Sequence, residues 1–356
     1  MDYLEEPRSS LGDGLLQNGN HLYTGDRSVN SKGEPALKRT TGKWKACSFI
    51  IGAFFCDHLS GNAISSNLVT YLKEKLHEGT VSAARNVTTF QGTCYLTPLI
   101  GAFLADAYWG RYWTIAAFCT IYFIGLCILT LSAAIPTLQP RECTDSMCPP
   151  ATTAQNAVFF LGLYSVALGT GGIKPCIWPM GADQFDDTDP AERVMKGSFF
   201  NWNYFSSYMG SLVATTALVM IEENVGFGLG YGIAACFSGI EIITFLLGTA
   251  FYRFQKPGGS PLTRMCQVVV ASLHKRKLEA PQDNSLLYET PEKDSSIEGS
   301  RKLQHSMGMI CLDKAAVASD AETESGEPIS PWRLCTVTQG NRSDCEEVHR
   351  EGERLL

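Results

Sequence analysis

Charge is what this sequence has least of. Charged residues fill 18% of its 356 positions, against about a quarter in ordinary soluble domains, and the deficit is concentrated between residues 46 and 253. The net charge of −7 comes largely from two polar tails, so no nucleic-acid partner is expected. Ordered cysteine spacing is missing too. Of the 13 cysteines, Cys47, Cys56, Cys94, Cys119, Cys127, Cys176 and Cys236 fall in apolar segments. No CxxC or Cys/His pattern accompanies them, which argues against a zinc site or a disulfide scaffold. No nucleophile-base pair or metal-ligand cluster stands out, so the chain reads as a non-enzyme without a cofactor. The opening residues lack an h-region and a small-residue cleavage site, so no removable signal peptide is expected.

Apolar length is what the sequence has in abundance. Six stretches, approximately Ala46–Leu72, Thr88–Ala107, Trp113–Ile135, Ala154–Trp178, Phe200–Ile221 and Phe227–Phe251, reach the roughly 20 residues that a helix needs to cross a bilayer. The fold class expected is therefore an all-α integral membrane protein. The first stretch carries Asp57, His58, Ser60, Asn62, Ser65, Ser66 and Asn67, too many polar groups for lipid on every side, so one face must meet the bundle or a water-filled cavity. The fourth holds Lys174 within FFLGLYSVALGTGGIKPCIWP, Phe159 to Pro179. A charge at that depth calls for a partner, a cavity or a ligand, unless it snorkels to the headgroups. Gly169, Gly171 and Gly172 before it, with Pro175 and Pro179 after it, predict a bent or broken helix, as in secondary transporters.

Lys38, Arg39, Lys43, Lys45, Arg111, Arg193, Lys196, Arg253, Lys256 and Arg264 gather at one set of span ends. That bias puts both termini in the cytosol, with plasma or vacuolar membrane as the setting. Residues 1–45 read as a disordered cytosolic tail, 254–339 as a cytosolic linker with an amphipathic helix over 261–277, and 340–356 as a separate, highly charged tail. Cys143 and Cys148, between the third and fourth spans, suit either a local disulfide or two free thiols. GTGGIK at 169–174 lacks the spacing of a phosphate-binding loop. Asp183, Asp186, Asp187 and Asp189 lack the register of a calcium loop, and read as solvated loop and helix-cap carboxylates. Asp106 and Arg111, in ADAYWGRY, could clamp neighbouring helices in one state, or form an ordinary charged helix end.

Taken together, NVTTFQGTCYLTPLIGAFLADAYWGRYWTIA (86–116), LGTGGIKPC with GADQFDDTD (168–189), GSFFNW (197–202) and YRFQKPGGSPLTR (252–264) resemble the proton-dependent oligopeptide transporter family. Within it they resemble the plant nitrate-and-peptide branch and its di/tripeptide group, and the likeness runs to Gln339. The resemblance implies the N-terminal six-helix bundle of a major facilitator fold, in which small peptides and protons are the cargo. It also implies that Lys174 binds substrate carboxylate or takes part in proton coupling. The family's E-x-x-E-R in the first span reads Phe54, Asp57 and His58 here, so one acid is lost and the fixed cation becomes a group that titrates near neutrality. In the fifth span Asn203 and Tyr208 stand at or beside expected substrate contacts. Beyond Gln339 the family pattern stops, which implies a truncated half that pairs with a missing second bundle or with itself. The competing expectation is a non-transporting membrane protein, acting as an interaction partner or an inert relic.

Overall fold

Gly110 decides how the longest apolar stretch is folded. In the computed structural model, helix continues from Thr80 to Ala134, 55 residues, which as a straight rod would reach about 80 Å, far beyond a hydrocarbon core of about 30 Å. Gly110 has φ +74°, in the left-handed region that a Cβ disfavours, and it separates two helices of 25 residues each. The described residues are 22–26, 28–141, 149–255 and 261–276, with short pieces at 287–288, 312, 314–317, 330 and 332–336. They fall into two compact units, 1–105 with 109–256, and 106–108 with 257–356.

The first unit is built from six helices. They are α1 (Lys43–Glu74), α2 (Thr80–Leu104), α3 (Gly110–Ala134), α4 (Thr153–Ala182), α5 (Pro190–Val213) and α6 (Phe227–Leu247). A π turn, Ala105–Trp109, follows α2; another, Ala214–Leu218, carries α5 into Val219–Asn224. Local sequence fixes several ends. Thr152 and Gln155 form a reciprocal capping box at the start of α4, while Asp189 caps α5 with Pro190 in its first turn, both satisfying backbone donors that a helix start leaves open.

α4 is the axis on which α2 and α3 pack, and α1 packs against both α5 and α6. The chain directions follow from particular contacts. Thr97 and Gly101 of α2 meet α4 at Ala167 and Gly171, in rising order on both helices. Phe118, Tyr122 and Gly125 of α3 meet Gly172, Gly169 and Gly162, in opposite order. Hence α2 runs parallel to α4, α3 antiparallel to it, and the two form a hairpin about Gly110.

The expected break in α4 is not found: the helix is continuous through Pro175 and Pro179 to Ala182. Its glycines serve close packing instead. A Cβ on Gly169 or on Gly171 would lie 2.5 Å from the Cβ of Tyr122 or of Thr97, and one on Gly172 would enter the Phe118 ring. Further along, Tyr71 stacks on Phe159 at 4.9 Å and meets Phe227 and Tyr231 edge-on or tilted, joining α1, α4 and α6 in one aromatic core.

The expected structureless tail over 1–45 gives way to a fixed strap from residue 28. Val29 and Phe254 exchange backbone hydrogen bonds at 3.0 and 2.8 Å, and Gly42 N–H donates to the Phe251 carbonyl at 2.7 Å. Fully buried Arg253 ties the strap down, because its guanidinium meets the carboxylate of Glu192, also fully buried, at 2.7 Å and the Thr41 carbonyl at 3.0 Å. Lys43 reaches the other Glu192 oxygen at 3.1 Å. The acidic loop is correspondingly less solvated than its composition suggests. Asp186 has no exposed surface; it accepts from Gly25 N–H at 2.8 Å and Thr188 Oγ1 at 2.6 Å, and lies 3.3 Å from Lys38. Burial pushes its carboxyl up, but these donors outweigh burial and hold it at about 2. Ordering 28–42 thus depends on partners more than 140 residues away, which local composition does not reveal.

In the second unit α7 (Pro261–His274) buries Val268 and Ala271 against Ala315 and Cys335, while Met265, Val269 and Leu273 are exposed. The helix ends at His274, three residues short of the expected 261–277. Cys143, Cys148 and the tail 340–356 lie outside the described residues.

Candidate functional site

Polar residues on α1, α2, α3 and α4 close around a cavity of about 290 Å³. Asp57, His58 and Asn62 enter from α1, Gln91 and Cys94 from α2, Tyr122 from α3, and Thr170 and Lys174 from α4. Helical spacing explains the grouping. Residues four apart share a face, so Asp57/Gly61, His58/Asn62, Gln91/Tyr95 and Thr170/Lys174 each turn inward together. Asp57, His58, Asn62 and Ser65 of the first span line the cavity, and Ser60 and Asn67 are buried, as their cost in lipid requires.

Asp57 is buried, and its Oδ2 lies 3.4 Å from His58 Nδ1. Phe54 occupies the position before this pair on the same helical face. Its ring packs edge-on against His58 at 4.3 Å and against Trp178 at 5.4 Å, so aromatic packing fills the place where an acid was expected. Ser60 Oγ donates to the Cys56 carbonyl at 2.9 Å and shares a 3.2 Å hydrogen bond with Tyr122 OH. Asn62 donates to the His58 carbonyl at 2.8 Å and to Ser211 Oγ at 2.9 Å. The cavity wall is thereby fixed to α3 and α5.

Lys174, Asp57 and His58 are therefore brought together. Asn203 and Tyr208 are not: Asn203 is buried within α5 packing, Tyr208 is 71% exposed, and neither lines the cavity. Arg111 pairs with Asp183 at the end of α4, so this ion pair joins α3 to α4. Burial outweighs the nearby guanidinium and raises the Asp183 carboxyl. Asp106 stands in the π turn Ala105–Trp109. Among the described residues no group of three His, Cys, Asp or Glu is placed to hold a metal ion.

One residue missing from the sequence reading belongs beside the site. Glu241, in FSGIEIITF of α6, has no exposed surface and accepts a hydrogen bond from Cys119 Sγ at 3.2 Å. A lone acid in an apolar, membrane-length run was the available signal.

Membrane-length helices around a lysine- and carboxylate-lined cavity define an all-α, multi-pass membrane protein. The profile of the POT family matches residues 112–343, and the chain belongs to that family. POT family proteins are transporters, not enzymes. The chain is similar to Protein NRT1/PTR FAMILY 8.3 of Arabidopsis thaliana, 59% identical over 94% of this chain and 57% of that protein. It is likewise 59% identical to Protein NRT1/PTR FAMILY 8.5 of the same plant, over 88% of this chain and 54% of that one. Among solved structures it resembles an auto-inhibited POT family peptide transporter, with 27% identity and a TM-score of 0.54 over 67% of this chain and 43% of that one. The chain spans about half the length of the curated relatives it matches, roughly their N-terminal half. The expected six-helix bundle of the major facilitator type is thus the observed fold.

Proposed function

We propose that this chain forms one half of a proton-coupled transporter of di- and tripeptides. The observation that carries the reading is the convergence of Lys174 with Asp57 and His58 on one cavity. Its volume of about 290 Å³ is at the lower edge of the roughly 300–1,000 Å³ typical of small-molecule sites, in keeping with a small cargo. Lys174 offers a cation to the peptide's C-terminal carboxylate. His58 Nδ1 lies 3.4 Å from Asp57 Oδ2 on the same wall, where a coupled proton changes the charge that faces the cargo. A cavity wall that changes charge with the proton gradient can exchange cargo at one side only. The solved relative described as a peptide transporter supports peptide as the cargo class.

The opposite wall comes from a second bundle or a second copy of the chain, because alternating access needs two bodies to rock about the site. Arg111 with Asp183 acts as the gate clamp on α3 and α4. Asn203 and Tyr208 contact cargo only in a conformation that turns α5 inward. The basic end of the bundle, which carries Lys38, Lys43 and Arg253, faces the cytosol in a plasma or vacuolar membrane.

The test is uptake of labelled dipeptide by this chain in a transport-deficient host, at acidic and neutral external pH, normalised to protein in the membrane. Acid-stimulated uptake that Lys174→Ala lowers at least tenfold is the expected result, since a lost charge-assisted contact costs at least about 1.4 kcal/mol. Undiminished uptake by well-inserted Lys174→Ala refutes the assignment of Lys174. No uptake by the inserted wild-type chain favours the non-transporting reading.

A further inference from the structure

From Ile242 to Leu278 the sequence carries six lysines and arginines and no aspartate or glutamate. The run takes in the end of α6 and all of α7, so its charge gathers just past the last membrane-length helix, Phe227–Ala250. Arg253 and Lys275 are buried, Lys275 donating to the Val317 carbonyl at 2.7 Å. Arg276 is exposed directly after the last turn of α7. Between these charges α7 presents two unlike apolar faces. Val268 and Ala271 have no exposed surface and pack with Ala315 and Cys335. Met265, Val269 and Leu273 follow one another at a spacing of four, which puts them on one stripe, and they are 38, 45 and 62% exposed.

Three large apolar side chains in a row on a short helix favour burial, and two observations name the partner. The first is reach. Pro261 is eight positions past Arg253, and eight residues span at most about 29 Å, so α7 cannot leave the neighbourhood of the bilayer edge. The second is charge. A basic run without an acid, next to a membrane span, complements anionic lipid headgroups, while an apolar stripe on a helix beside it suits the boundary between headgroups and acyl chains. We propose that α7 docks through Met265, Val269 and Leu273 on the bilayer that the bundle spans, with the basic residues of the run against anionic headgroups. Its opposite face carries Ala315 and Cys335, so docking holds those segments at the membrane surface. The proposal does not depend on what the chain transports.

The full chain is placed in liposomes of phosphatidylcholine alone or mixed equally with phosphatidylserine, each with a trace of lipid that bears a photoreactive diazirine on its acyl chain. After illumination, adducts are mapped by peptide mass spectrometry, and adducts in the membrane-length helices show that the reagent has worked. Adducts at Met265–Leu273 should form in the mixed liposomes and fall several-fold in phosphatidylcholine alone. Val269→Asp should lose them several-fold, with hydrogen exchange over 261–274 in detergent as slow as in wild type, since the buried face is untouched. Arg276→Glu, beyond the last turn, should lower them about fivefold or more, and it decides the matter if Val269→Asp unfolds α7. No adduct on α7, equal adducts in both liposomes, or no loss in Arg276→Glu overturns the proposal. Slow exchange at the stripe without lipid adducts means that protein covers it, and overturns the proposal as well.

Discussion

Replacing Glu192 by Gln probes the strap most directly. The change is nearly isosteric, but it leaves the Arg253 guanidinium, fully buried, without the carboxylate at 2.7 Å. It also removes the charge that Lys43 meets at 3.1 Å and weakens the bond from Asp186 N–H at 2.7 Å. Breaking a buried pair at one partner costs about 3–5 kcal/mol, because the other charge is stranded. At about 2–4 °C per kcal/mol for a body of this size, the apparent Tm should fall on the order of 10 °C. The assay is loss of the monodisperse peak from detergent-solubilised protein after heating. Arg253→Met removes the other partner, and the double variant Glu192→Gln/Arg253→Met should lose less than the sum of the two, since no charge is then stranded. A Glu192→Gln variant within about 1 °C of wild type would show that water reaches the pair, and the argument for a buried anchor would fail.

Two further outcomes follow from geometry already described. Gly172→Ala should drive a methyl into the Phe118 ring and lower the folded yield, at a cost of about 1–3 kcal/mol or more, whereas Gly79→Ala, with open space around it, should leave the yield unchanged; equal yields would refute the close-packing role. Asp186, whose carboxyl falls from 3.8 to about 2 on folding, contributes stability fully above its unfolded value, and that stability is lost as pH drops through the folded one. Hydrogen exchange over 22–41 should therefore stay slow to about pH 4 and speed up below it, with Asp186→Asn already fast at neutral pH; a wild-type strap indifferent to acid would contradict this.

How much of this was legible in the sequence differs from feature to feature. The six helices were readable because apolar length is a local property, and the polar face of α1 was readable because helical spacing puts Asp57, His58 and Asn62 on one side. Lys174 could be placed at the site because a lone charge in an apolar run demands a partner. The same logic applies to Glu241, the lone charged residue of the apolar run Phe227–Leu247. The glycines before Lys174 were misread as helix breakers: whether a glycine breaks a helix or admits a neighbour depends on what lies opposite, here Tyr122, Thr97 and Phe118. Asn203 was placed at the cavity by a motif, yet the rotation of α5 buries it elsewhere. The ordering of residues 28–42 escaped composition altogether, since its anchors are Asp186, Glu192 and Arg253.

The same anchor imposes an order on biosynthesis. The Thr41–Arg253 contact spans 212 residues, so at about 5–20 residues per second the start of α1 waits roughly 10–40 s for its partner to leave the ribosome. For the last 61 residues of that interval Glu192 has only Lys43 to neutralise it, and throughout it residues 28–42 have nothing after α6 to lie against. The segment made just after the last helix of the bundle is the one that fastens the first, which makes closure of the strap a report that all six helices have been made.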